Sequence, residues 1–120
     1  MKKILIYNKT ENKLLNQEFQ CNNSFYEKFK GLMLNKDFNK NLIFKFNSKN
    51  RYNSSIHTFF MCKSIYIYFI DKNYRVFEII KLKPWKIAIP KKEAKFVLES
   101  YNKINLKIND EIKIQCHQDF

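Results

Sequence analysis

Five side chains, His57, Tyr66, Tyr68, Lys83 and Trp85, offer the chemistry a binding or catalytic site would need. His57 lies in Ser55-Ile56-His57-Thr58-Phe59-Phe60-Met61, and an imidazole titrating near neutrality could act as acid, base or ligand. It also fits a structural part, hydrogen-bonded by a tyrosine or a backbone carbonyl on a half-buried sheet. Trp85 follows Lys83-Pro84. An indole beside a proline can wall a pocket whose lysine binds an anion, or it can plug the end of a β-barrel. Aromatic walls plus a cation suit a small anionic or sugar-like ligand. Asp71 opens a turn and has an ordinary structural use there.

Other chemistries find little support. Cys21, Cys62 and Cys116 are unevenly spaced and form no Cys-x-x-Cys pair, which argues for reduced thiols and against a disulfide framework. Cys116 and His117 are adjacent, so on a strand they point to opposite faces, and no zinc spacing is present. Nothing places a base beside Cys62 in sequence. One glycine, Gly31, rules out a phosphate-cradling glycine loop. No metal or cofactor is expected, and the balance leans away from an enzyme.

The elements that must position these residues are mostly strands. Residues 55–71 form the longest run without a strong breaker, dominated by β-branched and aromatic residues. A turn at Cys62-Lys63 would make it a hairpin, with Ile56, Thr58 and Phe60 across from Phe69, Ile67 and Ile65. His57, Phe59, Tyr66 and Tyr68 would share the other face. Further strands are expected at 3–7, 13–21, 42–46, 75–80, 85–89 and 111–116, the first two as an N-terminal hairpin, while residues 91–95 could start a helix. Ser24-Phe25-Tyr26-Glu27 fits a capping box, and Phe25, Phe29, Leu32 and Met33 follow at helical spacing. A helix near 24–31, ended at Gly31, is therefore expected.

Several segments resemble, in order, the domain-of-unknown-function 192 family. They are Phe29-Lys30-Gly31-Leu32-Met33, Leu42-Ile43-Phe44-Lys45-Phe46, the Ser55 to Met61 run with its apolar strand ending in Asp71, Leu82-Lys83-Pro84-Trp85, and Ala94-Lys95-Phe96-Val97-Leu98-Glu99. The resemblance covers roughly residues 24 to 114. It implies a small β-rich fold, with a strand rather than a helix at 96–99, and no activity. Relatives usually carry an aspartate where this chain has Tyr66, and a carboxylate near a histidine would handle protons or hold a cation. A tyrosine, with a reference pKa of about 10, cannot replace it at neutral pH.

The chain has 120 residues, 45% of them hydrophobic and 17% aromatic, which is enough for a packed single domain over 1–120. Its net charge is +12, from 23 Lys and Arg against 11 acids. Such an excess raises the question of nucleic acid. Yet 21 Lys, 15 Asn and 15 Ile stand against 2 Arg and 1 Gly, the skew of an AT-rich genome, and no lysine run exceeds two. Ile4 to Tyr7 imitates a signal peptide, but Asn8-Lys9 ends the apolar run far short of a secretory core or a membrane span. A cytoplasmic protein without a membrane partner is expected.

The sequence thus predicts an α+β, mainly β domain: a barrel-like or strongly curved antiparallel sheet with one helix in the N-terminal half. Its expected function is a non-enzymatic small-ligand or partner-binding module using His57, Tyr66, Tyr68, Lys83 and Trp85. The alternatives are a basic β-domain that binds nucleic acid nonspecifically and an enzyme acting through His57.

Overall fold

The computed structural model describes residues 3–21, 41–46, 56–57 and 63–116, and every regular element among them is a β-strand. The strands are β1 (Lys3–Asn8), β2 (Lys13–Cys21), β3 (Asn41–Lys45), β4 (Ile56–His57), β5 (Ile65–Ile70), β6 (Val76–Leu82), β7 (Ile87–Ala88), β8 (Phe96–Ser100) and β9 (Ile112–Cys116). Seven of them form one sheet in the order β6-β5-β8-β3-β2-β1-β9, and β4 with β7 forms a second. All pairs are antiparallel except β2 with β3.

This corrects the α+β, barrel-like expectation. The described residues are all-β, and the helix expected at 24–31 lies outside them. The large sheet does not close into a barrel. Among the described residues its two edges meet at one bridge, Arg75 to Glu111, just outside β6 and β9. Backbone bonds from Val76 N to Asp110 O (2.9 Å), Asn109 N to Val76 O (2.7 Å) and Ile112 N to Tyr74 O (2.8 Å) hold that junction. Beyond it the 103–108 segment diverges from β6, leaving an open groove of about 630 Å³ lined by Ile79 and residues 103–108.

The expected hairpin of 56–60 with 65–69 is also corrected. The β5 strand has two edges, and β6 and β8 occupy both. The register of β4 is with β7, Ile56 opposite Ala88 and His57 opposite Ile87; Thr58, Phe59 and Phe60 lie outside the described residues. The expected strand at 85–89 shrinks to Ile87–Ala88.

Alternation along the strands builds two apolar layers. One face of the large sheet collects Ile4, Ile6, Phe19, Ile43, Tyr68, Leu98 and Ile112 with Ile104 and Leu106 from the diverging segment. The opposite face of β3, β5, β6 and β8 packs Leu42, Phe44, Ile65, Ile67, Phe69 and Val97 against Ile56 and Ala88 of the small sheet. Central β5, apolar at every position but its tyrosines, feeds both layers, as expected of a strand covered on both faces.

Asp71 behaves as a turn opener: its Oδ1 accepts from Asn73 N (2.9 Å) and Arg75 N (3.1 Å). At the edge junction Glu111 pairs with Lys9 (2.7 Å) and Arg75 (3.3 Å). The Lys9 hydrogen bond and charge hold its carboxyl below the usual glutamate range. A group whose folded pKa is depressed stabilises above its unfolded value and loses that contribution as pH falls through the folded one. The Glu111→Gln protein is therefore expected to show a shallower loss of stability on acidification than the wild type. Urea unfolding between neutral and acidic pH measures this, and parallel curves would contradict it.

Candidate functional site

The five candidate residues separate into two groups on different layers. Tyr66 and Tyr68 belong to the first apolar face, whereas Lys83 and Trp85 lie in the turn between β6 and β7, beside the small sheet. His57 stands at the register position opposite Ile87, on that same small sheet.

Tyr68 is enclosed, with 1% of its surface exposed. Its hydroxyl accepts from Ile104 N (2.9 Å) and donates to Ile104 O (3.2 Å), so it clamps the diverging 103–108 segment onto β5. Burial pushes its phenol pKa up, the Ile104 bond pulls against that, and Tyr66 adds a smaller upward push. A hydroxyl with both partners on the backbone has a structural use that accounts for it. Tyr66 is partly buried on the same face. It sits across from Lys81, whose Nζ lies 5.5 Å from the ring centroid, within cation–π range.

Trp85 is different. It is 58% exposed, which removes the barrel-plug role, and its backbone is left-handed at φ 63°. That region suits glycine, asparagine or aspartate; a bulky side chain there costs about 1–2 kcal/mol. Asn12 (φ 58°) and Asn109 (φ 74°) occupy it without difficulty, and Tyr74 (φ 63°) packs its ring 5.4 Å from that of Phe96. Trp85 begins an exposed apolar edge: Ile87 is 55% and Ile89 43% exposed, while Ala88 and Pro90 between and after them are buried. Lys81, Lys83, Lys86, Lys91 and Lys92 are exposed along the same segment. Six lysines and one acid, Glu93, occupy residues 81–95. Lys92 is committed to Asp71 (3.2 Å) and to the Phe77 ring (4.8 Å to the centroid).

Replacing Trp85 with glycine is expected to leave the fold intact. It should change stability by no more than about +1 kcal/mol, because relief of the left-handed penalty is offset by glycine's larger unfolded entropy. Thermal unfolding checks this; a loss above about 1 kcal/mol would mean that the indole is a packing residue.

Two features escaped sequence reasoning. Ile87 and Ile89 read as ordinary strand residues, because the signal that exposes them is the two-residue length of β7. Glu99 is a buried acid in β8, 6% exposed, opposite Leu42 on one side and Ile67 on the other. Its placement among Phe96, Val97 and Leu98 was the available clue, since carboxylates rarely enter a fully buried strand. The groove at Ile79 and 103–108 contains none of the five candidates. Among the described residues no three His, Cys, Asp or Glu side chains group to hold a metal, and no helix is long and apolar enough to cross a membrane.

Comparison with known proteins bears on the fold and the family. The S. meliloti 1021 crystal structure described as a "putative transcription regulator" superimposes with a TM-score of 0.75 at 11% identity, covering 93% of this chain and 92% of that one. A protein of unknown function from Novosphingobium aromaticivorans gives 0.72 at 15% identity, covering 92% and 83%. At such identities the likeness is one of fold alone. In sequence, a UPF0127 protein of Thermococcus sibiricus is 33% identical over 119 residues, 96% of this chain and 77% of the relative. One from Pyrococcus horikoshii is 39% identical over 95 residues, 79% and 82%. The family model for DUF192, "Uncharacterized ACR", matches residues 6–114. With that match extending over nearly all nine strands, the chain belongs to the DUF192 family, whose archaeal relatives carry the name UPF0127.

Proposed function

We propose that this DUF192 protein is a non-enzymatic binding module that engages an anionic macromolecular partner through the β6–β7 corner. The observation that carries the reading is Trp85: a bulky side chain on a left-handed backbone, 58% exposed, opening an edge that continues in Ile87 and Ile89. Strained, solvent-facing apolar residues cost stability, and sites of interaction are where such costs are retained. The exposed Lys83, Lys86 and Lys91 set the sign of the partner. A small ligand would need most of its surface enclosed. An open corner suits a larger, flatter surface better than the small anionic or sugar-like molecule expected from sequence. Lys83 and Trp85 are the core of this site and His57 its register neighbour across from Ile87. Tyr66 and Tyr68 are assigned to packing.

Trp85 is the single tryptophan of the chain, so its emission reports on this corner alone. The reading expects a shift in that emission on titration with at least one of three anionic probes: phosphatidylglycerol-containing vesicles, an oligothymidylate, or polyglutamate. The shift should weaken with salt and in a Lys83→Glu/Lys86→Glu protein. No shift with any probe at low salt would overturn the reading. The oligothymidylate arm also tests the nucleic-acid alternative, which the +12 charge raises.

A further inference from the structure

We infer that the partner of this corner is an anionic lipid surface, with Trp85, Ile87 and Ile89 entering the interface and Lys83, Lys86 and Lys91 lying at the level of the phosphates. The inference rests on the binding-surface reading above and narrows its partner.

Three observations select a bilayer over other polyanions. First, exposure is concentrated: Trp85, Ile87 and Ile89 are exposed within five residues, with Lys86 exposed between them, while Ala88 and Pro90 are buried and anchor the segment. They are three of the six exposed large hydrophobics among the described residues; Leu14, Tyr74 and Ile108 are each remote in sequence from the others. Second, two of the three are isoleucines. Single-stranded nucleic acid is held by planar side chains on which bases stack, and an aliphatic β-branched group offers no such face. Acyl chains make no such demand. Tryptophan prefers the membrane–water boundary, and lysines can lay their methylenes along apolar surface while the ammonium reaches the headgroups. Third, the charge is complementary to anionic lipid: Lys83, Lys86 and Lys91 are exposed along the segment, against Glu93 and Glu78, whose Oε1 accepts from Lys91 N (2.7 Å). An extended acidic peptide would need a strand edge to pair with, and two-residue β7 is too short to template one.

Such docking differs from spanning. A surface-bound apolar edge needs a few inserted side chains on a folded support, and β7 receives that support from β4 and from the second apolar layer through Ala88.

The test uses the whole chain and Trp85 emission, with phosphatidylcholine vesicles with and without phosphatidylglycerol. The expected result is a blue shift and quenching by brominated acyl chains with the anionic vesicles, and neither with neutral ones. An Ile87→Asn/Ile89→Asn protein, with circular dichroism matching wild type, should lose about tenfold or more in vesicle partitioning. Partitioning unchanged in that variant would overturn insertion, since charge alone would then suffice. Equal binding to neutral vesicles would overturn the anionic preference. Emission that ignores vesicles but responds to oligothymidylate or polyglutamate overturns the lipid inference while leaving the binding-surface reading in place. Silence towards all three defeats both.

Discussion

Truncation of Tyr68 to alanine is expected to lower the free energy of unfolding by about 3–5 kcal/mol, the range for removing a buried aromatic side chain. The ring is among the largest fully buried side chains and contacts the layer to which every strand of the large sheet contributes. Its hydroxyl closes both polar groups of Ile104, a residue with no exposed surface. Tyr68→Phe separates the two contributions. The ring stays, Ile104 N loses its acceptor while Ile104 O keeps Leu106 N (2.8 Å), and the cost should be about 1–3 kcal/mol. The phenol's raised pKa adds a signature that packing alone lacks. A raised group gives its full contribution below the unfolded value, about 10 for tyrosine. That contribution is lost as pH rises from there through the folded value. The stability difference between wild type and Tyr68→Phe should therefore narrow above about pH 10, and urea denaturation across that range measures it. A Phe variant as stable as wild type would mean that the 103–108 segment is held by its apolar residues and by Asp110 at Lys107 N, without help from the hydroxyl.

How much of this was legible in the chain depends on whether the determinant was local. The β1–β2 hairpin was readable because both strands and the polar turn between them are contiguous, and the expected span 13–21 is the span observed. Strands at 42–46, 75–80, 96–99 and 111–116 fall within two residues of β3, β6, β8 and β9. Alternation identifies a strand and its faces, but it does not name the strand's neighbours. The placement of β3 between β2 and β8, with its one parallel pairing, is decided by how the layers pack. The failed hairpin is instructive. Ile65-Tyr66-Ile67-Tyr68-Phe69-Ile70 is apolar on both faces, which marks a central strand needing partners on both edges. The tight turn at Asp71 supplies β6 as one partner, and β8 takes the other edge, so the 56–60 segment had no edge left. Ile56 nevertheless joins Ile65, Ile67 and Phe69, by stacking from the second sheet and not by pairing. The same error scattered the candidate site: once β4 leaves β5, the His57 position goes with Trp85 and Lys83, and the tyrosines remain behind. Left-handed Trp85 was illegible for another reason. Asparagine marks two of the left-handed positions, Asn12 and Asn109, but in a chain with a single glycine Tyr74 and Trp85 stand at the others unmarked.

The second large effect is expected where the two sheet edges come together. Asp110 is 5% exposed, and its Oδ2 accepts from Asn8 Nδ2 and from Lys107 N, both at 2.9 Å. Asn8, 1% exposed, uses its Oδ1 to accept from Glu11 N at 3.1 Å, so one side-chain pair ties the end of β1, the β1–β2 turn and the diverging segment together. The backbone carbonyl of Asp110 meanwhile accepts from Val76 N at the start of β6. Asp110→Ala leaves the Asn8 amide and the Lys107 N–H without that acceptor. With hydrogen bonds to a charged group at about 1.5–3 kcal/mol each and some relaxation, the expected cost is about 3 kcal/mol. Asp110→Asn keeps the shape and an acceptor and should cost about half of that. Because the bonds are shared, Asn8→Ala and Asp110→Ala should be strongly non-additive, with a coupling of about 1–2 kcal/mol in a double-mutant cycle. Additive losses would show that the pair is incidental. The Asp110 change should also have a local readout. Amide exchange at Val76, Asn109 and Ile112 should accelerate more than at Ile67 or Leu98 in the sheet centre, because the junction of an open sheet is held by these few bonds. Uniform acceleration would instead make Asp110 a contributor to global stability with no special role at the seam. In that case the edges of β6 and β9 would be held together by the Arg75–Glu111 bridge and the apolar layer beneath it.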